Sequence, residues 1–95
     1  MPAYLIADIE VTDPVGFDEY RKRVPAVIAA HGGRYLARGG ASEVLDGAWR
    51  PKRCAIIEFP DLASMKAFWE STEYRPLREI RERSATSNVV VIEGV

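Results

Sequence analysis

The sequence predicts an α+β fold: a ferredoxin-like β-α-β-β-α-β chain with an extra short helix and one four-stranded antiparallel sheet. Three observations carry that expectation. Ala3–Val11 alternates, with Ala3, Leu5, Ala7, Ile9 and Val11 on one face and Tyr4, Ile6, Asp8 and Glu10 on the other; period two over that length is a strand with one clearly apolar side. Phe17, Tyr20, Val24, Val27 and Ile28 then recur at helical spacing, opposite Asp18, Glu19, Arg21 and Lys22. The chain closes on NVVVIE, Asn88–Glu93, a β-branched run that suits a last strand.

The remaining elements follow from their punctuation. Asp13 can cap the free N–H groups of the first helix, and Pro14 suits its first position because the missing N–H would go unpaired there. Pro25 removes a hydrogen bond to the Arg21 carbonyl, so a kink or break is expected within that helix. Gly32 or Gly33 supplies the left-handed residue that ends it. A second strand is expected over Arg34–Arg38, resuming at Ser42–Leu45 after a bulge or bend at Gly39-Gly40, with a turn at Asp46-Gly47. RCAIIEF, Arg53–Phe59, reads as the third strand, stopped by Pro60. Asp61 then caps a helix with Leu62, Met65, Phe68 and Trp69 on one side. Pro76 lies at the start of a short helix in which Arg75, Arg78, Arg81 and Arg83 alternate with Glu79 and Glu82, a pattern that reads as a solvated face.

Size and charge bound the function. The 95 residues make one domain, residues 1–95, with a single core. A formal net charge of −1 gives no general attraction to nucleic acid or to an anionic membrane. No apolar run reaches the ~20 residues of a membrane-spanning helix, and no basic leader precedes the first strand, so a cytoplasmic protein is expected. One histidine, one cysteine and scattered carboxylates fit no metal-ligand spacing, and no cofactor is expected. Cys54 sits in an apolar run, as a buried thiol would.

The stretch AHGGRYLARGG, residues 30–40, holds the candidate chemistry. Its glycines follow a helix and precede a strand, the reverse of a phosphate-binding loop, and its single RGG lies inside a strand and not in a disordered repeat. His31 is the candidate acid/base, either catalytic or capping the helix end. Arg38 and Arg53 are candidates to hold an anionic or enolisable substrate, or else to pair with Asp8 and Glu58 across the strands. Tyr35, Trp69 and Tyr74 could wall a flat apolar cavity, with Trp49 as a lid, or could be simple core. Ile6 on the minority face of the first strand implies that the uncovered side of the sheet is apolar too. Two such sheets packed about a two-fold axis would bury both, which makes a homodimer the expected partner state.

AYLIADIEVTDPVGFDEY, HGGRYLARGG, the W-x-S-x-E-Y-x-P-L-R element and the closing VVVIEG span nearly the whole chain. Together they closely resemble the bacterial DUF1330 family, a domain of unknown function in the dimeric α/β-barrel superfamily. Members often carry proline where this chain has Thr72. The resemblance implies a fold and a dimer, not an activity, because that superfamily includes cofactor-free monooxygenases, lactone isomerases, haem-degrading enzymes, stress proteins and ligand-binding regulators. Two functional expectations result. One is a homodimer that binds a small anionic or aromatic molecule and acts on it without a cofactor, through His31; the other is a non-catalytic, ligand-binding or stress-related dimer.

Overall fold

The computed structural model describes all 95 residues. Its elements are β1 (Ala3–Val11), α1 (Pro14–Ala30), β2 (Arg34–Arg38), β3 (Cys54–Phe59), α2 (Leu62–Trp69), α3 (Tyr74–Ser84) and β4 (Ala85–Glu93). The strands form one antiparallel sheet in the order β2-β3-β1-β4, as the ferredoxin-like connectivity requires. The sheet is open at β2 and β4; a single chain closes no barrel.

The helices cover one face. Ala3, Leu5, Ala7 and Ile9 of β1, with Ile57 and Phe59 of β3, pack against Phe17, Val24 and Ile28 of α1, Met65 and Phe68 of α2, and Leu77 of α3. Removing these groups from water is the main stabilising contribution, about 1.5–3 kcal/mol for each fully buried large side chain. The aromatic seam through this layer is continuous: Phe59 lies 5.4 Å from Phe68, and Phe68 lies 4.4 Å from Tyr74, ring centre to ring centre.

The caps form where the sequence places them. The Asp13 carboxylate accepts from the Gly16 N–H at 3.2 Å, and Asp61 accepts from Ser64 N–H at 2.7 Å. At the other end of α1, Gly32 adopts φ +79°, a left-handed conformation that suits glycine. Its N–H donates to the Ala29 carbonyl and that of Gly33 to the Ile28 carbonyl, so the last turn is closed by paired reverse bonds. Ser84 ties the two long helices together, since its carbonyl accepts from the N–H groups of both Thr12 and Asp13.

Two expectations are corrected and a third is sharpened. Helix α1 runs unbroken through Pro25. The Arg21 carbonyl that Pro25 leaves without a helical donor accepts instead from the Arg38 guanidinium, at 2.7 Å. The second strand does not resume at Ser42–Leu45. Residues 40–53 form a connection without helix or strand, and the strand ends at Gly39, φ +67°. The chain bends at Gly39 as expected, and a bulge lies earlier in addition: the β2–β3 register shifts between Tyr35 and Ala37.

The bond from Arg38 to Arg21 predicts a thermodynamic coupling. Arg38→Met should cost about 1 kcal/mol in chemical denaturation, a typical net hydrogen-bond contribution. In a Pro25→Ala background the restored N–H can satisfy the carbonyl, and the same substitution should cost close to nothing. Equal costs in the two backgrounds would show that the bond carries no stability.

Candidate functional site

The space for a ligand originates in two small residues. Ala7 of β1 and Ala55 of β3 are register partners on the helix-facing layer, where their strands otherwise carry Leu5, Ile9 and Ile57. Above them lies a cavity of about 50 Å³ between sheet and helices. Fourteen of its 18 lining residues are hydrophobic, and the other four are all arginine: Arg21, Arg38, Arg53 and Arg81. No carboxylate and no imidazole lines it.

Five of the six residues singled out from the sequence meet there: Tyr35, Arg38, Arg53, Trp69 and Tyr74. The bulge in β2 explains how Tyr35 and Arg38 come together. In a regular strand, residues three apart point to opposite faces. Here Leu36 is the extra residue, so Tyr35 pairs with Ile57 and Arg38 with Ala55, and both side chains reach the helix-facing side. The Arg38 guanidinium lies 4.7 Å from the Tyr35 ring centre. Burial pushes the Tyr35 phenol up, with the Arg38 charge pulling the other way. Arg53 runs past Gly39: a Cβ on that glycine would come within 2.9 Å of the Arg53 Nε.

His31 does not join them. It stands at the end of α1, outside the cavity lining. Its Nδ1 lies 2.9 Å from the Val27 carbonyl, which can only accept, so Nδ1 carries the proton. The ring meets Phe68 edge-on at 6.0 Å. Trp49 is likewise no lid over this cavity. Its indole N–H donates to Asp8 at 3.0 Å, on the face of β1 away from the helices. The other Asp8 oxygen accepts from the backbone N–H groups of Lys52 and Arg53. The Trp49 bond and then the Lys52 N–H hold the Asp8 carboxyl below its ordinary range. Glu58 pairs with Arg34 at 2.8 Å, so neither acidic residue pairs with the guanidinium of Arg38 or Arg53, and neither arginine forms a salt bridge. Burial pushes the Cys54 thiol up, which keeps it protonated.

Two features of the cavity were not read from the sequence. Tyr20 and Tyr74 meet hydroxyl to hydroxyl at 3.1 Å in the buried layer, and burial drives the Tyr20 phenol far above its ordinary value. Arg81, read as part of a solvated face, is 6% exposed. A signal for it was present: Tyr74, Leu77, Arg81 and Ser84 keep the spacing of an inward stripe, and all four are buried.

The profile of the DUF1330 family, a domain of unknown function, matches residues 2–95. The chain belongs to that family. No curated protein matches it. Among solved structures, this DUF1330 chain is similar to a Rhodopseudomonas palustris protein of unknown function, with 17% identity, TM-score 0.78, and coverage of 99% of this chain and 82% of that one. A dimeric ferredoxin-like protein of unknown function from Thermobifida fusca gives 17% identity and TM-score 0.69 over 99% of this chain and 92% of that one. SnoaB, a cofactor-independent oxygenase from Streptomyces nogalater, gives 12% identity and TM-score 0.67 over 99% and 93%. At these identities the likeness is one of fold.

The Asp8 contacts predict an acid transition confined to the connection before β3. Because the folded-state pKa of Asp8 is depressed, the contact is present above the ordinary value of 3.8 and is lost as pH falls through the lower folded value. Trp49 emission should therefore change below about pH 4 in the wild type. Asp8→Asn should remove that transition. Its persistence in Asp8→Asn would mean that another group anchors the indole.

Proposed function

We propose that this DUF1330 chain is a homodimeric binding protein for a small planar or short-chain anion, taken into the cavity between sheet and helices. The observation that carries the reading is the cavity's charge pattern: an apolar pocket whose only charged lining groups are four arginines, with Arg38 and Arg53 free of any acidic partner. Guanidinium groups bind carboxylates in two-pronged contacts, and tyrosine and tryptophan faces accept a flat body beside them. Tyr35, Trp69 and the buried Tyr74 supply the walls; Arg38 and Arg53, both exposed, supply the charge at the rim.

This reading assigns no proton transfer to His31, whose ring is engaged at the helix end. SnoaB is a cofactor-independent oxygenase of the same fold. The cavity here offers no carboxylate or imidazole to take a proton from a substrate, and its guanidinium groups are already protonated, so the binding reading asks less of the residues present.

The dimer rests on the uncovered sheet face. Ile6 is in register with Ile56 on one side and Val90 on the other, and Tyr4 is in register with Ile92. Val90 and Ile92 are 59% and 57% exposed in the single chain. An apolar sheet face of this kind calls for a cover, and the Thermobifida fusca neighbour of the same fold is described as dimeric.

Two tests follow. Ala55→Leu should fill the cavity, abolish binding of benzoate and similar carboxylates by calorimetry, and leave the fold intact by circular dichroism. His31→Asn should bind as the wild type does. Carboxylate binding that survives Ala55→Leu would place the site elsewhere. Separately, Val90→Asp should convert a dimer to a folded monomer by light scattering; a dimer that persists would move the interface off this face.

A further inference from the structure

Arg81 is the one buried charged residue of the chain. Its partners are few. One Nη donates to the Ser87 hydroxyl, and the guanidinium carbon lies 5.7 Å from the Trp69 ring centre. Arg78 stacks on the same indole at 4.6 Å. Arg81 forms no salt bridge, although its own helix carries Glu79 and Glu82. Its Nε has no hydrogen-bond partner and is the single such buried side-chain atom in the molecule. A buried donor left unmade costs on the order of 1–3 kcal/mol, more for a charged group, so its retention calls for a partner that arrives from outside the chain. Arg81 lines the cavity, and it also borders an open groove with Trp69, Glu82 and Ser87; the cavity side carries arginines and no carboxylate, whereas the groove carries Glu82, so an anion is favoured on the cavity side.

The register shows what else is at that end. Ser87, which holds Arg81, is paired with Ile9; the Ile9 N–H donates to the Arg53 carbonyl on the other side. Arg53 and Ser87 therefore flank Ile9 across two strand spacings, roughly 10 Å between backbones. Arg38 is two residue pairs further along, opposite Ala55 and so at the level of Ala7. The cavity thus has a cationic end, at the level of Ile9, and an apolar end lined by Leu5, Ile28 and Phe68.

We propose that Arg81 is the buried receptor for a ligand oxyanion. The cavity then takes a small amphipathic carboxylate, charged end between Arg81 and Arg53, apolar end toward Phe68 and Ile28. The proposal rests on the reading of the cavity as an anion site and adds the anchoring residue, the orientation and the ligand class. A carboxylate is the group that fits, because it can accept from Nε and from an Nη of one guanidinium at once and still face Arg53.

The test uses nitrogen-15-labelled wild-type protein, in which the Arg81 Nε–H resonance is assigned through bonds and followed while acetate, butyrate and benzoate are titrated in. The expected result is a saturable shift of the Arg81 Nε–H resonance, together with shifts at Ala55 and Phe68 that benzoate and butyrate produce and acetate does not. Arg81→Lys, which keeps the charge but has no Nε–H fork, should weaken benzoate at least about tenfold. Shifts at Tyr35, Ala55 or Arg53 with Arg81 Nε–H unmoved would overturn the assignment to Arg81 and leave the anion site standing. If no carboxylate moves any cavity resonance, both the assignment and the anion reading fall. The wild-type titration decides between these outcomes even where Arg81→Lys does not fold.

Discussion

Arg38 donating to the Arg21 carbonyl is the bond on which the site's shape depends, because it joins three local irregularities. Pro25 removes the helical donor that this carbonyl would otherwise receive. The extra residue in β2 turns Arg38 toward the helices, where an unshifted strand would have turned it away. Gly39, at φ +67°, ends the strand immediately afterwards and leaves room for Arg53 to cross it. Each feature alone is a cost: a lost helical bond, an interrupted ladder, a flexible residue. Together they fix α1 to the edge strand and put two guanidinium groups at the rim of one cavity.

The cavity itself is a consequence of packing two alanines where leucine-sized residues would close the layer. Protein interiors fill at crystal-like density, so a gap over Ala7 and Ala55 is a departure from the rule and not a default. Its walls are stiff. Tyr74 touches Phe68, Trp69 and Tyr20, and the Tyr20–Tyr74 hydroxyl pair gives each phenol one hydrogen-bond partner within the layer. A stiff apolar pocket strengthens any charge contact made within it, since the surrounding medium screens little. That is why Arg38, Arg53 and Arg81, which have no acidic partner, matter more here than the chain's overall charge of −1, which is an average over a surface where Arg21, Arg23 and Arg34 are neutralised by neighbours.

Most of the fold was legible because its signals are local. The alternation of Ala3–Val11, the Asp13 and Asp61 caps and the glycine stop at Gly32 depend on residues within one turn or one strand. Much of the site was legible in composition but not in arrangement. Tyr35, Arg38, Arg53, Trp69 and Tyr74 could be named, yet what brings them together is a register shift that no local pattern at Leu36 announces. Gly39-Gly40 marked the bend at Gly39 but not the bulge before it, because glycine marks backbone freedom and the bulged residue did not need it. Arg81 was hidden by a stronger pattern: alternating Arg and Glu read as solvent-facing, although the spacing of 74, 77, 81 and 84 marked it as inward. His31 drew notice as the only histidine, but rarity in a composition says nothing about where a helix end points its ring.

Strand β1 carries both of the surfaces on which function is proposed. Its Leu5, Ala7 and Ile9 form the cavity floor, and its even-numbered residues Tyr4, Ile6 and Asp8 form the outer face. Asp8 holds the Trp49 connection on that outer side, and through the Lys52 and Arg53 N–H groups it also fixes the backbone from which the Arg53 side chain departs toward the cavity. The carboxylate is thus a mechanical link between the two faces. Moving the connection over the outer face would shift the backbone at Arg53, and an anion that locks Arg53 in the cavity would in turn favour one position of the connection. Such coupling needs no long pathway, because the Asp8 carboxylate accepts both from the Trp49 indole on the outer face and from the backbone N–H of Arg53, whose side chain lines the cavity.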